Sequence, residues 1–264
     1  MLIIVGRGLR RPNLMRRQSW VLLTAIAIVF AAVYIWRYLG HSPSRVVLWA
    51  WERPEDLSFV DPQRVEIAYL AATLTLRGPR VVNRPRLQPL LIPPAMRPIA
   101  VARIESDPTE PPLLTTEQRV ALGNEITKIA TRPNISAIQI DFDARVSERD
   151  FYRALLVDLR ARLPRQLKLS MTALASWCLF DNWIDELPVD EATPMVFRMG
   201  ADQESVRTRL NAGADFRARL CQNSVGISLD EPLPPRLKAR TLYIFNPLPW
   251  TKKAVDRAIE EADK

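Results

Sequence analysis

Histidine is almost missing from this chain: His41 is the single one in 264 residues. A histidine-ligated zinc site, a Ser-His-Asp triad and a Cys-His protease are thereby excluded. Cysteine is scarce as well, limited to Cys178 and Cys221, which allows at most one intramolecular disulfide in an oxidising compartment. Acidic residues are absent from residues 1–44, which hold Arg7, Arg10, Arg11, Arg16, Arg17 and Arg37. That segment accounts for most of the net charge of +8, since the rest carries 31 basic against 29 acidic residues. No basic stripe with interleaved aromatics occurs either, so the pI near 9.9 reads as a targeting feature and not as nucleic-acid binding. Internal repeats and low-complexity tracts are also absent.

What the N-terminus does contain is "WVLLTAIAIVFAAVYIW", Trp20–Trp36, 17 residues without a charge. Five arginines precede it, so the positive-inside rule predicts a cytoplasmic N-terminus and an exported C-terminal region. The expected organisation is a basic cytoplasmic segment (1–18), a transmembrane signal anchor (19–38), a linker (39–44) and one domain (45–264). Localisation follows as single-pass in the bacterial inner membrane, with the domain in the periplasm and residues 20–36 in the bilayer. A cleaved signal peptide is the alternative. Met15, heading "MRRQSW", competes with Met1 as the start.

Beyond the linker, eight short apolar runs recur: 46–51, 65–76, 99–105, 137–143, 167–174, "MVFRM" at 195–199, 225–229 and 242–246. Several of the segments between them carry helix signals. Thr115 with Gln118 has capping-box spacing, Ser147 is placed to cap the helix that stops at Pro164, and Gly213 follows a shorter one. "KKAVDRAIEEADK" closes the chain as an amphipathic helix. Eight strands with helical returns predict an α/β fold, a (β/α)8 TIM-like barrel, with a doubly wound open sheet as runner-up. The second crossover (77–98) contains Pro79, Pro85, Pro89, Pro93, Pro94 and Pro98 and no helical period, so an extended hairpin or loop is expected there. On this barrel Cys178 follows the top of the fifth strand and Cys221 precedes the bottom of the seventh. The two are therefore expected at opposite ends, out of reach of one another.

Barrel active sites lie at the C-terminal strand ends. Those ends offer Trp51 and Glu52, Glu105 and Asp107, Asp141 and Asp143, Ser176 and Trp177, Arg198, Asp230 and Glu231, then Asn246 with Trp250 beyond; Tyr69 is a weaker candidate on the second strand. Acids, tryptophans and an arginine on one rim suit a sugar cleft, because rings stack on pyranose faces and carboxylates accept hydroxyl hydrogens. The fourth strand, "SAIQIDFD", is the most informative. Period two puts Ile138, Ile140 and Phe142 on one face, and Gln139, Asp141 and Asp143 on the other, facing inward. Two carboxylates at i and i+2 repel, which raises the affinity of one for a proton and suits it to general-acid work. Arg198, inside an apolar run, is read either as a counter-ion to Asp141 or as a substrate clamp.

At these residues the chain resembles the strand-four signature of family 18 chitinases, DGxDxDxE. Asp143 stands where that family has its catalytic acid and Asp141 where it has the preceding aspartate, while Gln139 and Ser136 replace the two earlier acids. A wider resemblance, through "VVLWAWERPEDL", "IQIDFDAR", "LPVDEATPMVFRMG" and "GISLDEP", is to the bacterial domain of unknown function 3142, which implies a glycosidase-like barrel without a settled activity. The resulting expectation is a glycoside hydrolase-like protein acting on, or binding, a cell-envelope polysaccharide. Asp143 would be the general acid/base, tuned by Asp141. Glu52, Trp51, Tyr69, Gln139, Trp177, Arg198, Asp230, Glu231 and Asn246 are candidate substrate contacts. No cofactor or metal is expected, and the oligomeric state is open. The alternative is a non-catalytic glycan-binding or envelope-assembly protein on the same barrel.

Overall fold

The computed structural model describes residues 45–232 and 241–263. Eight parallel strands close into a barrel: β1 (Val46–Ala50), β3 (Val65–Arg77), β6 (Ile99–Ser106), β7 (Ala137–Asp141), β8 (Lys168–Leu174), β9 (Glu191–Met195), β10 (Ser224–Ser228) and β11 (Thr241–Phe245). Closure comes from β1, which pairs with both β3 and β11. The open doubly wound sheet is thereby set aside. The remaining strands are short additions: β2 (Glu55–Asp56), β4 (Arg80–Pro85) and β5 (Leu90–Leu91).

Period two explains which residues go where. Outward-facing Leu48, Ile67, Ile138 and Ile140 join the layer between strands and helices, where burying each contributes about 1.5–3 kcal/mol. Inward-facing Val47, Trp49, Ala68, Val101 and Tyr243 fill the barrel itself. Trp49 is the largest of these and lies over Gly226. A Cβ at Gly226 would approach Trp49 Cη2 to 2.9 Å, so the indole occupies the space that glycine leaves.

The helices are α1 (Thr116–Ala130), α2 (Arg149–Arg162), α3 (Ala175–Phe180), α4 (Gln203–Asn211) and α5 (Lys252–Ala262). Thr115 caps α1, its Oγ1 accepting from Gln118 N at 3.2 Å. The Gln118 carbonyl accepts from Leu114 N at 2.9 Å, and its amide donates to Gly78 and Arg80 oxygens. One side chain thus ties the helix start to the β3–β4 turn. β4 runs antiparallel to β3 in place of a helical second crossover, in keeping with the proline pattern there.

Three local expectations are corrected. Ser147 does not cap α2, because a 3-10 turn (Val146–Glu148) precedes that helix and includes it. The sixth strand is "EATPM", four residues upstream of the apolar run, and Phe197 and Arg198 lie in the loop beyond it. Cys178 and Cys221 are joined in a disulfide with Cα atoms 6.0 Å apart. The opposite-ends expectation assumed that the chain stays at the top after β8. Instead α3 begins directly at the end of β8, and α3 and the 3-10 turn Arg219–Cys221 both pack against β9.

Among the described residues no helix is long and apolar enough to cross a membrane. The span expected at residues 20–36 lies outside those residues.

Candidate functional site

The C-terminal ends of the strands surround a cavity of about 280 Å³. Trp49, Trp51, Phe197 and Phe245 form one wall, and Arg103, Asp141 and Asp143 line the other. On the aromatic wall Phe197 and Phe245 stack at 5.7 Å and 7°, and Trp51 meets Phe245 edge-on at 6.3 Å. Both contacts are favourable arrangements for ring quadrupoles. Thr172, Leu174 and Ser176 bring the end of β8 into the same space.

The ionic wall follows from strand register. β6 and β7 pair so that Arg103 stands opposite Asp141. Arg103 Nη1 lies 3.5 Å from Asp141 Oδ2, and its Nε donates to Glu105 Oε1 at 2.7 Å. The same guanidinium sits 5.5 Å over the Trp51 ring, a cation–π geometry that couples the two walls. Thr172 Oγ1 donates to Asp141 Oδ1 at 2.7 Å. Burial raises the affinity of Asp141 for a proton, and Arg103 and the Thr172 hydroxyl oppose it.

Asp143 is placed differently. It has left β7, is open to solvent and makes no hydrogen bond or ion pair among the described residues. Its carboxyl is pushed up to about 6, by the protein packed around it first and the Asp141 charge second, with Arg103 pulling it down. Solvent at the cavity mouth screens these influences, and the direction remains upward.

Below it, Gln139 is fully buried inside the barrel and accepts from Trp49 Nε1 at 3.0 Å, while its own Nε2 has no partner among the described residues. Tyr152 of α2, also fully buried, packs its ring on Phe142 at 5.2 Å, and its hydroxyl has no hydrogen-bond partner among the described residues. Burial, with Asp141 and Asp143 nearby, pushes that phenol well above its ordinary range.

Of the candidates read from sequence, Trp51, Asp141, Asp143 and Arg198 line the cavity together. Arg198 adopts φ 50° and pairs with Asp230 at 3.3 Å, not with Asp141, and its guanidinium lies 4.8 Å over Phe245. Glu231 accepts from Arg198 N at 2.9 Å and Arg207 Nη2 at 3.0 Å, so Asp230 and Glu231 hold the Arg198 loop. Glu52 is paired with Arg84. Trp177 is buried edge-on against Trp183 at 4.8 Å. Asn246 closes its own loop by accepting from Leu248 N, and Tyr69 is half-buried on β3. None of these four lines the cavity. Asp107 is a loop anchor held by Thr109, Glu110 and Arg77, and Trp250 is buried with its Nε1 on Trp49 O at 2.9 Å.

Sequence reasoning missed Arg103, Phe197 and Phe245. Period two on β6 puts Val101, Arg103 and Glu105 on the inward face and would have found the first. Tyr243 and Phe245 alternate the same way on β11. Among the described residues no group of three or more His, Cys, Asp or Glu could hold a metal ion.

No family model matches the chain, and no curated protein sequence matches it. Among solved structures it is similar to the chitinase domain of the spore coat protein CotE from Clostridium difficile, at 14% identity and a TM-score of 0.40. That alignment covers 84% of this chain and 62% of that one. The chain therefore spans less than two thirds of that structure.

Proposed function

We propose that the domain is a glycoside hydrolase-like module that acts on a cell-envelope polysaccharide, with Asp143 as general acid/base. The observation that carries this reading is the unpartnered, solvent-reachable Asp143 beside the arginine-held Asp141, across a cavity from an aromatic wall. A carboxyl with a proton affinity raised toward neutrality donates to a glycosidic oxygen at working pH, and the neighbouring negative charge keeps the proton in place beforehand. Trp51 offers a face for a pyranose, and Arg198 offers hydrogen-bond donors at the rim. A substrate carrying an N-acetyl group would supply its own nucleophile in place of a second carboxylate. Anchoring at the inner membrane through residues 20–36, with the barrel in the periplasm, is part of the same proposal. The buried disulfide supports an oxidising compartment.

A second reading, a non-catalytic glycan-binding protein, is favoured by Gln139. Where the chitinase signature has an acid, this side chain is committed to Trp49 inside the barrel. Incubating the protein with peptidoglycan and β-linked amino-sugar polymers, with Asp143→Asn as control, separates the two. Release of reducing ends by the native protein alone supports hydrolysis. Binding without release by either protein selects the second reading, and equal release by both ends the case for Asp143.

A further inference from the structure

Two cavities meet at the acid pair. The aromatic one shares Arg103, Asp141 and Asp143 with a second cavity of about 270 Å³ on their far side. The two carboxylates and the guanidinium thus form a ridge between chambers of nearly equal size and opposite chemistry. The second chamber presents Glu105, Ser106, Arg145 and Glu148. Its one ring, Phe142, is buried in the core and offers no face to a ligand.

Most polar groups of this chamber are already engaged. Glu148 accepts from Ser106 Oγ at 2.7 Å and from Arg145 N at 2.7 Å, which fixes that wall. Glu105 is held by Arg103 at 2.7 Å. The Arg145 guanidinium is not: among the described residues it has no ion pair or hydrogen bond, although it stands two residues from Asp143. Five N–H donors without a protein partner, on the wall of a cavity, are donors available to a ligand.

We infer that the substrate straddles the ridge: one sugar ring lies by its face on the aromatic side, and the next unit of the same chain lies in the polar chamber, held through its oxygens with Arg145 as principal donor. This rests on the carbohydrate reading above and adds the minimum length and charge of what binds. Carboxylate acceptors beside a guanidinium donor match the hydroxyl and amide oxygens of a neutral sugar. Even with Asp143 protonated, three carboxylates, Glu105, Asp141 and Glu148, face two guanidiniums, Arg103 and Arg145. That excess of negative charge disfavours a unit that carries its own carboxylate. The ligand class is therefore an oligomer of at least two units, neutral in the polar chamber, and not a polyuronate.

Calorimetric titration of the full-length chain tests this with N-acetylglucosamine, its β-linked dimer and a uronic acid dimer. The neutral dimer is expected to bind about tenfold more tightly than the monomer, the yield of one charge-assisted contact. Arg145→Ala and Arg145→Gln should each remove that gain and leave monomer affinity unchanged, while Trp51→Ala weakens monomer and dimer alike. The uronic acid dimer should bind no better than the monomer. Equal affinity for monomer and neutral dimer, or an Arg145 substitution that weakens both equally, overturns the two-chamber inference. No binding of any saccharide overturns the carbohydrate reading itself, a result distinct from either.

Discussion

From β6 to β8 the barrel mouth is built of paired charges and hydroxyls: Arg103, Asp141, Thr172, with Glu105 just behind. From β11 round to β1 it is built of rings: Phe245, Trp49 and Trp51, with Tyr243 packed on Trp49 below. The two halves solve different problems. Charges near a barrel core are tolerable only when each has a partner, so the ionic half is organised by register, with Arg103 opposite Asp141. Rings need only area and shape, so the aromatic half is organised by volume, with Trp49 seated over Gly226. In the proposed function chemistry falls to the first half and ligand area to the second. Among the described residues Asp143, at their meeting point, has no hydrogen-bond or ion-pair partner.

Four substitutions sharpen or break that contrast. The largest effect should fall on the ionic half: Asp143→Asn lowers polysaccharide release by about 10²–10⁴-fold, the usual worth of a general acid. Retained release would remove the distinction between the halves. Next is the Cys178–Cys221 bridge, which links α3 after β8 to the turn before β10 and so staples one half to the other. Replacing both cysteines by serine should cost about 4 kcal/mol from loop closure. A fall of Tm on the order of 10 °C in a thermal melt would match it for a domain of this size. Gly226→Ala pushes a methyl into Trp49 and should cost about 1–3 kcal/mol in denaturant titrations. A neutral result would mean that the aromatic half is looser than its shape implies.

The smallest effects are titrations. Arg103→Met removes the cation that holds the Asp143 proton affinity down, so carbon-13 NMR should show the Asp143 midpoint move upward from about 6. Asp143→Asn should also change the pH dependence of stability. The folded carboxyl holds its proton up to about 6, against an ordinary value of 3.8. The native state therefore binds more protons than the unfolded chain in that window, and stability falls as pH rises through it. The substitution should raise Tm slightly at pH 7 and leave it unchanged at pH 3. The opposite sign would mean that Asp143 gains a favourable partner when ionised.

Much of this was legible in the sequence where alternation was clean. Ile138 and Ile140 against Gln139 and Asp141 show both the strand and its inward face, but the strand ends at Asp141, so Phe142 and Asp143, expected on it, lie in the loop beyond. The proline-rich stretch at 77–98 announced a crossover without a helix. Legibility failed where two signals competed. "MVFRM" is more apolar than "EATPM", yet the barrel takes the latter as β9 because β8 pairs along its whole length, from Ser170 with Glu191 to Leu174 with Met195. Neither Pro194 nor Glu191 advertises a strand. The cysteine pairing is not legible because sequence order does not give distance along a barrel: α3 follows β8 without a connecting loop. Trp177 was indistinguishable from Trp51 in sequence, since both follow a strand; only the turn of α3 sends the first into the core.

Trp49 has one more consequence. With its indole over Gly226 and its Nε1 bonded to Gln139, the middle of the barrel is corked. Nothing passes along its axis, so whatever enters at the mouth must leave by the mouth. Under the proposed reading a long chain is not threaded here but met broadside, laid over the rim and lifted off again.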